Sequence, residues 1–77
     1  MRVEVLTKPG CHLCEVAVEV VGSVCAEVGV EWAERDISAD PALLRDYAEQ
    51  VPVTFVDGRR HDFWRVDPVR LREALTR

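Results

Sequence analysis

No stretch of this sequence approaches the roughly 20 consecutive apolar residues that carry a helix across a bilayer. The opening residues, MRVEVLTKPG, interleave charge with valine and offer no apolar block of the signal-peptide kind, so the chain is expected to be cytoplasmic, with no membrane partner. Positive charge is not in excess either. The formal net charge is -4, which removes the sequence-independent attraction to phosphate on which nucleic-acid binding rests. Cysteine is sparse: three in 77 residues is an odd count and far below the density of a disulfide-stapled secreted domain. Repeats, linkers and low-complexity tracts are missing. What remains is a single domain over residues 1–77, with 48% hydrophobic and 31% charged residues, a thin core, and small-molecule or protein partners.

The elements follow from period and punctuation. RVEVLT (2–7) alternates and is rich in valine, which predicts a strand ended by Pro9 and Gly10. From residue 12 the apolar spacing changes to three and four. Leu13, Val16, Val20, Val24 and Val28, with Ala17 and Val21 beside them, form one face of a helix closed by Gly29, and Glu15, Glu19, Ser23 and Glu27 form another. Valine is a poor helix former and Gly22 costs about 1 kcal/mol against alanine, so packing must hold this helix together. A loosely patterned strand spans 30–37. DPALLRDYAEQ (40–50) opens with an Asp cap and Pro at the first helical position, with Leu43, Leu44 and Tyr47 as its buried face. VPVTFVDGRRHDFWRV (51–66) is a hairpin around Asp57-Gly58, a dipeptide suited to a type I′ turn. DPVRLREALTR repeats the Asp-Pro opening and forms a last helix with Val69, Leu71 and Leu75 as apolar contacts. The order β-α-β-α-β-β-α makes the first two strands parallel and the hairpin antiparallel, which is an α/β fold with a four-stranded mixed sheet and three helices.

The chemistry-bearing stretch is KPGCHLC (8–14), a CxxC pair where the first strand yields to the first helix. In disulfide exchange the attacking species is a thiolate, and a cysteine at a helix N-terminus sees unpaired backbone N–H groups and the positive end of the helix dipole. Cys11 occupies that place. Cys14, three residues on, is expected about 5 Å away in Cα spacing, within disulfide range. Lys8 and His12 add positive charge near the Cys11 thiolate and Glu15 opposes it, with a net effect in favour of the thiolate. Other readings of the pair stay open. A zinc site needs about four ligands, and in a continuous helix Cys25 lies roughly 16 Å beyond Cys14 along the axis, out of reach of a shared metal or disulfide. As a structural staple the pair is weak, because so short a loop constrains the unfolded chain little. Cys25, Trp32, Trp64 and His61 read as ordinary core or strand residues, and Pro52, on its own, as a trans proline opening an edge strand.

KPGCHLC between strand and helix, VPVTFVDG opening a late hairpin, and the element order together resemble the glutaredoxins of the thioredoxin fold, in particular short glutaredoxin-like proteins, over essentially the whole chain. The resemblance implies a thioredoxin-like fold and a thiol-disulfide oxidoreductase with Cys11 as nucleophile and Cys14 as resolving cysteine. It implies no cofactor beyond the Cys11-Cys14 disulfide, with a disulfide-containing protein or a low-molecular-weight thiol such as glutathione as partner, and a reductase or thiol as electron donor. It also implies a cis Val51-Pro52 bond against the active cysteines, with the backbone at Val51 free to pair with an extended thiol substrate, and Lys8 as an anion contact. One departure stands out. Where typical glutaredoxins carry a Gly-Gly turn and a polar helix start that hold glutathione, this chain has DFWRVDPVRL, leaving Arg65 and the start of the last helix as the candidate carboxylate contacts. Poor turnover of glutathione mixed disulfides is expected in consequence. The alternative from a different class is a non-enzymatic protein that carries a metal or docks a partner on the same fold.

Overall fold

The structure, a computed structural model, describes residues 2–77. Strand β1 (Val3–Thr7) leads into α1 (His12–Val28), β2 (Trp32–Asp36), a single 3-10 turn (Ile37–Ala39), α2 (Pro41–Tyr47), the hairpin β3 (Val53–Val56) and β4 (Arg59–Phe63), and α3 (Pro68–Thr76). The sheet order is β2-β1-β3-β4. β1 pairs parallel with β2 and antiparallel with β3, and β3 pairs antiparallel with β4. This is the mixed four-stranded sheet with three helices that the element order implies. No helix among the described residues is long and apolar enough to cross a membrane.

Local chemistry sets the element boundaries. Asp40 and Asp67 cap α2 and α3, each carboxylate accepting two backbone N–H groups of the first turn, and a proline follows each cap. Such caps are worth about 1 kcal/mol each. Asp57 and Gly58 both have positive φ, 52° and 81°, as a type I′ turn requires. Arg2 clamps that turn by a double hydrogen bond to the Asp57 carboxylate, which holds its carboxyl below the usual carboxylate range.

Because successive strand residues face opposite ways, the sheet carries two apolar surfaces. Val3, Val5 and Val56 meet Val21, Val24 and Cys25 of α1 and Leu71 and Leu75 of α3. Leu6 and Val53 form the second cluster with Ile37 and Val51, and Leu43, Tyr47 and Phe55 pack against it. Cys14 joins this second cluster from the first turn of α1.

Three sequence expectations about the core need correction. The buried stripe of α1 is Cys14, Ala17, Val21, Val24 and Cys25, while Leu13 and Val16 are exposed. The nine-residue α3 packs against the C-terminal half of α1, so the apolar stripe outruns its cover. In α2 only Leu43 and Tyr47, one turn apart, face the core; Leu44 is exposed, and the helix ends at Tyr47 rather than at residue 50. In α3 the i, i+4 pair Leu71 and Leu75 is buried and Val69, on the other side of the helix, is exposed.

Gly22 has a packing reason. A Cβ built there would lie 3.2 Å from Cζ2 of the Trp32 indole. Gly22→Val adds branched carbons at this contact and is expected to destabilise the fold by about 1–3 kcal/mol despite removing a helix glycine. A lower urea midpoint at unchanged denaturant slope would show it.

Candidate functional site

The turn after β1 is made by Pro9 and Gly10, and Gly10 takes φ 74°, a left-handed conformation that costs glycine little. This turn delivers Cys11 to the N-cap of α1 in extended backbone geometry. There the Cys11 Sγ accepts a hydrogen bond from the Cys14 N–H at 3.1 Å, and the Cys11 carbonyl accepts from the Glu15 N–H. Cys11 and Cys14 are joined by a disulfide with Cα atoms 5.2 Å apart. Cys14 is buried against the second core cluster and Cys11 is half-buried. Cys11 thus sits at the more open end of the helix and Cys14 lies behind it.

The expected neighbours divide into three groups. Val51 shares the apolar cluster with Cys14, Cys11 packs against that cluster, and the Val51-Pro52 bond is cis. The backbone here is less free than expected. The Val51 N–H donates to the Tyr47 carbonyl at 3.1 Å and the Pro52 carbonyl accepts from the Trp64 N–H at 2.7 Å, so that main-chain pairing at Val51 falls to its carbonyl. The α2 helix ends early, and its last turn claims that N–H. Lys8 turns its Nζ to the Ala48 carbonyl at 3.0 Å, at the end of α2. His12 is exposed, with Nδ1 3.5 Å from the Glu15 carboxylate. His12 and Arg65 line one groove, along α1, together with Leu13, Val16, Val20, Trp64 and Val66. Lys8 and Arg65 therefore belong to different sides of the site. On the remaining side, Glu15, Val18 and Glu34 line a small crevice over Cys14, and the Glu34 carboxylate accepts the Thr7 hydroxyl at 2.8 Å.

Trp64 joins the site as well. A tryptophan in this stretch reads as packing, yet Trp64 is half-exposed, has φ 62°, and its indole Nε1–H donates to the Glu49 carbonyl at 3.0 Å. The available signal was the stretch of residues 64–67 between β4 and α3, which contains no glycine to take up a left-handed turn.

Cys25 is buried in the first cluster and forms no disulfide, and burial pushes its thiol pKa up. It is expected to stay reduced and to resist alkylation in the native protein while Cys11 and Cys14 cycle. Thiol labelling with peptide mapping, before and after oxidation, checks this. A bridge from Cys25 to either motif cysteine would contradict the helix as well as the pairing. Among the described residues no three His, Cys, Asp or Glu side chains gather as a metal site.

Comparison with known proteins gives the same architecture. The glutaredoxin-like domain (DUF836) family model matches residues 2–76. An uncharacterized protein of Mycobacterium tuberculosis is 32% identical over 81 aligned positions, spanning 99% of this chain and 84% of that protein. The X-ray structure of a structural-genomics target protein from X. campestris superposes with a TM-score of 0.77 at 32% identity, covering 95% of this chain and 93% of that one. The crystal structure of a thioredoxin-like protein superposes with a TM-score of 0.61 at 26% identity, covering 95% and 99% respectively. With a Cys11-Cys14 pair at the head of α1 on a thioredoxin-like sheet, this chain belongs to the glutaredoxin-like domain family.

Proposed function

We propose that this protein is a thiol-disulfide oxidoreductase whose working centre is the Cys11-Cys14 pair. The observation that carries the reading is the N-cap position of Cys11, whose Sγ already accepts the Cys14 N–H. The same N–H and the helix dipole stabilise negative charge on that sulfur once the pair is reduced. Cys14 is buried, and Glu15 and Glu34 line the crevice over it, so a second negative charge there is disfavoured. The two sulfurs therefore have unequal work.

In the reductive direction the Cys11 thiolate attacks one sulfur of a substrate disulfide. The substrate S–S bond breaks, one substrate thiolate leaves and takes a proton, and a mixed disulfide remains on Cys11. Cys14 then loses its proton and attacks the Cys11 sulfur, which releases the second substrate thiol. The substrate gains two electrons and the Cys11-Cys14 pair loses them. A thiol or a reductase restores the dithiol, as in a reducing cytoplasm. The substrate is a protein disulfide or a low-molecular-weight one, held by the Val51 carbonyl and the surfaces bearing Lys8, His12 and Arg65.

Turnover tests the reading. Supplied with a dithiol reductant, the purified protein should reduce hydroxyethyl disulfide faster than the reductant does alone. A rate equal to that of the reductant alone would remove it.

A further inference from the structure

An exposed apolar surface runs along α1 from the turn that follows Cys11. Leu13 is 40% exposed, Val16 44%, Phe63 43% and Trp64 51%, values far from those of a packed core. They are also contiguous. Leu13, Val16 and Trp64 line one groove along α1, and Leu13, Phe63 and Trp64 line the next, toward the start of α3. A continuous apolar surface of this kind marks an interaction site more often than chance exposure does.

Trp64 is held there against its own preference. A bulky residue at φ 62° is a true backbone outlier, since glycine is the residue that takes this conformation at little cost. Its N–H is fixed to the Pro52 carbonyl and its indole N–H to the Glu49 carbonyl, so the ring borders both the α1 groove and the surface formed by Ala48, Glu49 and Gln50. Phe63 supports it edge-on, with ring centroids 5.0 Å apart. Strain kept in place by two hydrogen bonds points to a function for the side chain.

Charge narrows the occupant. Among the groups lining the two grooves, Arg70 is paired with Asp62, Asp67 spends its carboxylate on the cap of α3, and His12 lies beside Glu15. Arg65 faces both grooves and pairs with no carboxylate among the described residues. Main-chain pairing on the far side is also restricted, because the Val51 N–H is already committed. Recognition thus shifts from the backbone of an extended ligand to side chains on the α1 side.

We propose that this surface docks an apolar, carboxylate-bearing segment of a target protein next to its disulfide, and that Trp64 selects such a segment over a small polar thiol. The proposal rests on the oxidoreductase reading and names its substrate class. Leu13, Val16 and Trp64 take the apolar side chains, and Arg65 takes the carboxylate.

The test uses four probes, each a thiol carried as a mixed disulfide with the chromophore nitrothiobenzoate. Attack of the Cys11 thiolate on the probe sulfur breaks the S–S bond and releases coloured nitrothiobenzoate. One probe is a peptide with Leu, Phe and Asp around its cysteine, the second the same peptide with Ser and Gly in place of Leu and Phe, the third glutathione, and the fourth the first peptide with Lys in place of Asp. In a single turnover of the reduced wild-type protein, in which Cys14 then attacks the Cys11 sulfur and frees the probe thiol, the second-order rate constant of nitrothiobenzoate release should be on the order of tenfold higher for the apolar peptide than for the Ser-Gly peptide or glutathione. Because the quantity read is a ratio within each variant, partial unfolding cancels. Val16→Ser and Trp64→Ala should bring the ratio toward one by raising the apolar-peptide concentration that half-saturates the release rate, and Trp64→Phe should keep most of it. Arg65→Gln should abolish the preference for the apolar peptide over a version with Lys in place of Asp. Equal rates on all probes in the wild-type protein, or ratios unmoved by both Val16→Ser and Trp64→Ala, would overturn this proposal alone. No release above background from any probe would overturn the oxidoreductase reading and the proposal with it.

Discussion

Cys11→Ser is expected to lower disulfide exchange by roughly a thousandfold or more, the scale of loss when an essential nucleophile is removed. Serine is among the best N-cap residues, so the variant keeps the start of α1 satisfied and leaves the fold intact. Its hydroxyl does not ionise near neutral pH and does not form a disulfide. The loss is therefore chemical. Turnover of hydroxyethyl disulfide, measured beside a thermal melt, checks both halves of the expectation. An unfolded variant would assign Cys11 to stability, and a folded variant with full activity would remove it from the reaction. Cys14→Ser should fail at a different point, after the first attack and before release.

The largest expected effect on stability comes from Leu71→Ala. Leu71 is fully buried and ties α3 to Val3, Val5 and Val56 of the sheet and to Val21 and Val24 of α1. Truncating such a side chain costs about 2–5 kcal/mol through lost transfer energy and the cavity left behind. A domain of this size holds roughly 4–12 kcal/mol in total, so the variant should be partly unfolded near body temperature. Val69→Ala, two residues earlier in the same helix, removes an exposed side chain and should stay within about 0.5 kcal/mol of the parent. Urea unfolding of the two variants side by side decides it. Equal midpoints would contradict the placement of α3 on the sheet.

Much of this arrangement is legible in the chain because local chemistry acts there without help from distant residues. Pro9 and Gly10 stop a strand and start a helix, the two Asp-Pro pairs cap α2 and α3, and Asp57-Gly58 turns the hairpin. Those signals place Cys11 at the N-cap and Cys14 one turn inside, which is the core of the candidate site. What the chain conceals depends on partners far away in sequence. The stripe on α1 is continuous as a pattern, yet which part is covered depends on the length and position of α3, so Leu13 and Val16 read as core and lie on the surface. The Val51 N–H reads as free until the end of α2 is fixed, because its acceptor is the Tyr47 carbonyl. Trp64 shows the same limit. A tryptophan reads as packing, and only the three-dimensional turn shows that it takes a conformation suited to glycine, with its ring beside the candidate site.

Mass spectrometry of Cys14→Ser after exposure to hydroxyethyl disulfide separates the roles of the two motif cysteines. The expected product is a stable adduct of one hydroxyethylthiol per chain, mapped to Cys11, because attack still occurs and no resolving thiol remains. Cys25, buried and with its pKa pushed up, should carry none. An unmodified protein, or an adduct on Cys25 with Cys11 free, would contradict the assignment of Cys11 as nucleophile.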